Sequence, residues 1–202
     1  NGKVGAIVSE DGGAIVNNGN LNIEGGHFGA DTIENNNGEV NITGGTFESN
    51  PSDFVDDDYI VVESNGVCTI ERKPQDLIDF ENAIEKGGNV TLSDDITLLE
   101  TVVIEEGNTV NLDLNGKTIT GAFVKGSGAI IENNGNLTIV GGTIKNTEIN
   151  GDAVINNTGE LVLEDVNIEG APIGTTGYPD YAVYTYGKLT VENETQIISD
   201  RG

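Results

Sequence analysis

Residues 128–144 read Gly-Ala-Ile-Ile-Glu-Asn-Asn-Gly-Asn-Leu-Thr-Ile-Val-Gly-Gly-Thr-Ile, and the chain writes this segment again, imperfectly, at least four more times. Residues 13–28 keep nearly every small, turn and apolar position, and looser copies occupy residues 31–47, 152–168 and 181–192. A segment this short cannot bury its own apolar face, so the copies must stack on one another. Repetition therefore constrains the fold more tightly than any single motif.

Each copy holds short apolar runs (129–131, 137–140 and 143–144) separated by Asn133-Asn134-Gly135 and by Gly141-Gly142. Asn and Gly reach positive φ at low cost, so both separators are places where the chain can turn. In Asn136-Leu137-Thr138-Ile139 the apolar residues alternate, the period of a strand with one buried face. Equivalent positions recur after 19 residues (Leu21 to Val40), 24 (Leu137 to Leu161) and 28 (Leu161 to Leu189), too few for a strand plus a crossover helix. The reading is all-β: a β-solenoid with three short parallel strands per winding. A propeller blade would repeat at roughly 40–50 residues. Asn17, Asn36, Asn133 and Asn156 fall at the same turn and are expected to form an amide ladder from coil to coil.

In chain order, Asn1-Gly2-Lys3-Val4 matches Tyr186-Gly187-Lys188-Leu189, so the sequence is expected to open inside a coil. After residue 47 the pattern breaks into a turn (50–54) and the acidic Asp56-Asp57-Asp58. Residues 59–63 and 67–70 flank Ser64-Asn65-Gly66 and read as a hairpin. Residues 54–73 are expected to cap a first module, 1–73. Past Pro74 the period lengthens: Leu77, Phe80, Ala83 and Ile84 share a helical face over 76–86, with Asp76 as N-cap and Gly87-Gly88 as stop. This short capping helix opens a second module, 74–202, whose strands begin at Val90.

Composition narrows the function classes. The 202 residues carry 34 Asp and Glu against 9 Lys and Arg, a formal charge of −25. Such a surface repels phosphate backbones and anionic bilayers, which disfavours nucleic-acid and membrane-surface partners. No apolar run approaches a membrane span, so no membrane insertion is expected. The absence of an initiator Met or signal peptide suggests a piece of a longer or processed protein, with further solenoid modules in the same parent. Aromatics make up 5% of residues, as a narrow aliphatic interior would require.

The Asn-Asn-Gly-Asn-Leu-x-Ile-x-Gly-Gly-Thr-Ile/Phe copies resemble the right-handed parallel β-helix repeats of the pectin-lyase-like superfamily. More narrowly, Gly-Gly-Thr-Phe-x-Ser-x-Pro-Ser-x-Phe-Val at 44–55, the hairpin, the 76–88 helix and Asn111-Leu112-Asp113-Leu114-Asn115-Gly116-Lys117 are similar to tandem repeats of large surface proteins of gut Gram-positive bacteria. Similar repeats occur in fibre or decoration proteins of their phages. The resemblance implies a right-handed coil and an extracellular place on a cell or virion surface. It leaves activity open, because lyases, hydrolases, adhesins and fibres share the coil.

A β-helix pectate lyase would imply calcium-binding acids and a catalytic arginine, yet Arg72 lies in the cap and Arg201 at the far end of the sequence, off the repeat strands. An inverting glycosidase needs two or three clustered carboxylates; Asp94-Asp95, Asp113 and Glu164-Asp165 are the available acids. His27 takes the slot of Thr46 and Thr143, a surface position. Cys68 reads as a small hydrophobe in a strand. No catalytic residue is assigned and no cofactor is expected, apart from a candidate structural calcium at Asp56, Asp57, Asp58, Asp94 and Asp95, whose hard oxygens suit that ion. The tyrosine-bearing loop, with Tyr178, Tyr181, Tyr184 and Tyr186, is the candidate ligand site, since Tyr offers a stacking face and a hydroxyl. The expected function is a non-catalytic structural or adhesive module whose partner is a glycan or host surface protein. The alternatives are a glycan-degrading lyase or hydrolase and an ice-binding solenoid, the latter weakened because Thr118-Ile119-Thr120 stands nearly alone.

Overall fold

The computed structural model describes residues 15–30, 33–122, 128–147, 153–170 and 181–199. The chain divides into two compact units, Asn1–Lys73 and Pro74–Gly202. Both are built from parallel strands wound into β-solenoids.

In the first unit, β1 (Ile15–Asn17) pairs in parallel with β3 (Ile33–Asn35), and β2 (Asn20–Phe28) with β4 (Glu39–Phe47). The register sets Leu21 beside Val40, Ile23 beside Ile42 and Phe28 beside Phe47, so the 19-residue spacing is one winding. The Phe28 and Phe47 rings stack 4.7 Å apart and 9° from parallel. Like residues sit on like because each inward position sees the same slot of the next winding. After a 3-10 turn at Ser52–Phe54, Val55 makes a parallel bridge to Ile42. Then β5 (Tyr59–Ser64) and β6 (Val67–Arg72) form an antiparallel hairpin around Asn65 and Gly66, both at positive φ. That backbone twist matches the twist of the flanking strands. β6 continues antiparallel along the end of β4, setting Cys68 against Phe47. Cys68 and Ile70 close a core with Ile23, Phe28, Ile42 and Phe47, and Ile42 is left with no exposed surface.

The second unit opens on α1 (Gln75–Lys86), whose Leu77, Ile78, Phe80, Ala83 and Ile84 are buried, as the apolar spacing predicts. Gly87, at φ 74°, ends it. The expected N-cap is corrected: Pro74 holds that position with no side-chain cap, and Asp76 lies in the first turn. The Asp76 carboxylate reaches out instead, accepting the Ser93 N–H at 2.8 Å, the Asp94 N–H and the Ser93 hydroxyl. It thus clips the helix to the loop after the first strand. Desolvation alone would raise its pKa, but the Asp94 and Ser93 donors together outweigh that and hold the carboxyl below the usual aspartate value.

Successive windings follow: β7 (Gly88–Thr91), β8 (Ile96–Leu98) and β9 (Val102–Ile104); β10 (Thr109–Asp113), β11 (Thr118–Gly121) and β12 (Ile131–Asn133); β13 (Asn136–Asn146) and β14 (Ala153–Asn157); β15 (Glu160–Glu169) and β16 (Tyr181–Thr185); then β17 (Lys188–Glu192) and β18 (Gln196–Ile198). The first face stacks β7, β10, the first half of β13, the first half of β15, and β17. The second stacks β8, β11, the later halves of β13 and β15, and β18. The third runs β9, β12, β14, β16. All these pairings are parallel.

Inward columns carry the core. Val90, Leu112, Ile139, Leu163 and Val191 stack on the first face, with Val110, Leu137, Leu161 and Leu189 beside them. Ile96, Ile119, Ile144, Ile168 and Ile197 line the second face, and Val102, Ile131, Ile155 and Val183 the third. From Val110 to Ile168 most of these have lost all contact with solvent. Burying each such side chain stabilises by about 1.5–3 kcal/mol relative to leaving it exposed, which is what binds winding to winding.

The two kinds of corner differ in how they use glycine. The Gly-Gly corner turns through positive φ as expected, with Gly141 at 59° and Gly142 at 116°. At the Asn-Asn-Gly corner the chain also turns, as expected, but no residue takes positive φ there, and glycine is required by closeness. A Cβ on Gly159 would lie 2.0 Å from the Gly135 carbonyl oxygen, and one on Gly187 2.1 Å from that of Gly159.

An amide ladder is present, one residue out of phase with the expectation at two of its four positions. Asn17 donates to Asn35 Oδ1 at 3.1 Å in the first unit. In the second, Asn133 donates to Asn157 Oδ1 at 2.7 Å, and Asn157 to Thr185 Oγ1 at 3.0 Å. Asn133 and Asn157 are fully buried. Asn36 lies exposed in the bend after β3, and Asn156, one strand position before Asn157, faces the other way, so neither joins the ladder.

Candidate functional site

β16 is the edge strand of the third face, and on it and the turn that follows stand Tyr181, Tyr184 and Tyr186. Their exposures are 42%, 39% and 78%, and among the described residues no other aromatic ring is exposed. The Tyr181 and Tyr184 rings lie 5.3 Å apart, tilted by 37°, and Tyr186 meets Tyr184 edge-on at 5.2 Å. The Tyr184 and Tyr186 hydroxyls are hydrogen-bonded at 2.8 Å. That bond, with the neighbouring phenol's charge, pushes the Tyr184 pKa above the ordinary phenol value, so its hydroxyl stays protonated and can donate. Edge-to-face packing holds the rings in place while leaving surface and hydroxyls open. Tyr178 lies outside the described residues.

Tyr184 lies in register with Asn156, whose Oδ1 is buried without a hydrogen-bond partner. Asn156 escaped the sequence reading because it was assigned to the ladder. Placing Asn157 inward would have turned Asn156 out, beside the tyrosines.

The candidate acids are engaged at corners. Asp95 Oδ1 accepts the Thr118 N–H of the next winding at 2.8 Å, and Asp113 Oδ1 accepts that of Asn115 at 2.8 Å. Asp165, at φ 53°, accepts the Glu194 N–H at 3.2 Å, and Asn193 donates to Glu164 at 2.9 Å. Asp165 and Glu194 line a shallow hollow of about 270 Å³ with Gly142, Val166, Asn167 and Gln196. Asp56 Oδ1 accepts the Asp58 N–H at 3.1 Å, closing its own turn. Asp57, Asp58 and Asp94 are exposed.

Among the described residues, no three His, Cys, Asp or Glu side chains converge as a metal site. Since Asp56 and Asp95 each already spend an oxygen on a backbone N–H, calcium binding would compete with the turns. The melting midpoint is therefore expected to stay the same in millimolar calcium and in chelator. A rise with calcium reversed by chelator would establish an ion site at these loops.

His27 pairs in register with Thr46, as its place in the repeat predicts, and its Nδ1 lies 2.9 Å from the Thr46 hydroxyl. Its Nε2 is 3.6 Å from Glu48. Cys68 is 4% exposed and packs as a core residue. Arg72 ends β6 at the surface, and Arg201 lies outside the described residues. Compared with models of protein families, with curated proteins and with solved structures, the chain shows no match in any of the three.

Proposed function

We propose that this chain is a non-catalytic structural and adhesive module of a larger protein on a bacterial cell or virion surface, using the tyrosine patch to hold an uncharged glycan. The observation that carries the reading is the patch itself: three exposed rings fixed against one another. Ring faces stack on the C–H face of a sugar, and the exposed Tyr hydroxyls offer it hydrogen bonds. The net charge of −25 favours neutral ligands over uronic-acid polymers. The corner carboxylates hold turns together, which supports a shaft more than a catalyst. A host surface protein or pectin-lyase-like kinship would use the same coil.

A glycan-degrading activity has one specific observation in its favour, the Asp165–Glu194 hollow. The experiment that separates the readings is a panel of neutral polysaccharides scored both for retention and for released reducing ends. Retention without release is expected. Tyr186→Ala should weaken retention roughly tenfold or more, the loss of one stacked ring, with the melting curve unchanged. Reducing-end release abolished by Glu194→Gln would establish the hydrolase instead. Retention indifferent to Tyr186→Ala would remove the patch from the binding surface.

A further inference from the structure

The outward side of the third face carries one column of residues that the packing of the coil does not explain. β9, β12, β14 and β16 stack in register there, so Val103, Glu132, Asn156 and Tyr184 follow one another from winding to winding. Each adjoins an inward residue, respectively Ile104, Asn133, Asn157 and Val183, and strand alternation therefore turns all four to the outside. The column belongs to the side of the coil. A further winding would lengthen it and leave it uncovered.

On the other faces, outward polar residues bond to one another. Asn111 donates to Asn89 Oδ1 at 2.7 Å and Lys188 pairs with Glu160 at 3.3 Å on the first face. Asn167 donates to Glu169 on the second. On the third, Glu132 and Asn156 are neighbours in register, half-buried, and make no hydrogen bond or ion pair among the described residues. Asn156 Oδ1 is shut in, while its Nδ2 and both Glu132 oxygens are open to solvent and unused. A donor and a carboxylate acceptor thus stand in line with the Tyr184 ring, one winding apart.

Spacing identifies what fits them. Parallel windings set equivalent positions about 4.8 Å apart, close to the advance of one sugar ring along an extended polysaccharide. Glu132 lies two such steps from Tyr184. A chain laid along the coil axis sets one sugar on Tyr184, the next over the Asn156 amide and the third beside the Glu132 carboxylate. The Tyr184 ring takes the C–H face of the first, Nδ2 donates to a hydroxyl of the second, and the carboxylate accepts from a hydroxyl of the third. Bonds to a charged acceptor are the stronger kind, so the third contact rewards length. Val103, beyond it, offers no side-chain polar atom, and the gain stops there. A coiled chain such as amylose curves away from a straight column, and a uronic acid brings its charge against Glu132.

We propose that the ligand of the tyrosine patch is an extended neutral oligosaccharide, running parallel to the coil axis over Tyr184, Asn156 and Glu132. This rests on the glycan reading of the patch and gives the ligand a length, a direction and a shape.

Titration of the whole chain with cello-, manno- and chito-oligosaccharides of one to six units, followed by the NMR signals of the tyrosine rings, tests it. Malto-oligosaccharides serve as the coiled series. In whichever extended series binds, affinity should rise about tenfold or more from one unit to three and little beyond. Glu132→Ala and Asn156→Ala should each weaken trisaccharide binding about fivefold or more and leave the monosaccharide unaffected, with melting curves unchanged. Tyr186→Ala should weaken every length. Affinity level from one unit to three, a trisaccharide indifferent to both Glu132→Ala and Asn156→Ala, or an equal gain in the malto series would each overturn the column, while a loss on Tyr186→Ala would leave the patch standing. Binding indifferent to Tyr186→Ala, or no binding in any series, would remove the patch and the column together.

Discussion

Gly159→Ala should lower the stability of the second unit by about 3 kcal/mol, at the upper end of what overpacking a filled interior costs. The new methyl would stand 2.0 Å from the Gly135 carbonyl oxygen and 2.8 Å from the Asn134 carbonyl carbon, both backbone atoms of the winding behind. Neither can rotate away as a side chain would. The corner can relieve the clash only by lifting one winding off the other, and that separates the buried Asn133–Asn157 bond between β12 and β14 and the Leu137–Leu161 contact between β13 and β15. Gly187→Ala creates a similar clash, 2.1 Å from Gly159 O, but in the final winding, where Val191 and Ile197 already face solvent and the strand has room to move. Its loss should be smaller. Chemical denaturation of the two variants measures the difference. A Gly159→Ala chain within about 1 kcal/mol of the parent would mean that the windings are not clamped at this corner.

The contrast explains which parts of this molecule were legible in its sequence. Stacking was legible because a solenoid repeats its environment: Leu21 and Val40, or Leu137 and Leu161, occupy equivalent slots, so the copies align themselves and the register follows. The hairpin was legible from Asn65-Gly66, and the helix from its apolar spacing. What repetition does not encode is phase within a corner. Asn17-Asn18, Asn35-Asn36, Asn133-Asn134 and Asn156-Asn157 each offer two amides, and only the strand's inward side decides which one joins the ladder. The role of Asp76 was hidden for a different reason. A carboxylate at a helix start is ordinarily read as a local cap, while here its acceptors are filled by Ser93 and Asp94, 17 and 18 residues away. The tyrosine patch was legible as composition, but its geometry depends on β16 being an edge, and the Asn156 oxygen beside it depends on the same phase that the repeat leaves open.

That phase has a quantitative consequence at Asn157. Its amide donates to Thr185 Oγ1 at 3.0 Å and Lys188 O at 3.1 Å, its oxygen accepts from Asn133 at 2.7 Å, and it has no exposed surface. Asn157→Ala removes all of these at once and strips the buried Asn133 amide of its partner on the next winding. The cost should be about 2–3 kcal/mol, since a buried polar group left unpaired loses more than the bond was worth. Asn133 begins the ladder of its unit. Ile104 stands behind it in register, and its Oδ1 has no partner. Asn133→Ala therefore removes an amide that is only half satisfied, and about 1 kcal/mol is expected. Asn156→Ala, one residue along and off the ladder, should change stability by no more than about 0.5 kcal/mol, because its buried oxygen makes no hydrogen bond to lose. The order Asn157, Asn133, Asn156 is what an inward amide ladder demands. Were Asn156→Ala as damaging as Asn157→Ala in denaturant titrations, the strand would present the opposite side to the core, and Tyr184, which shares its register, would turn inward with it.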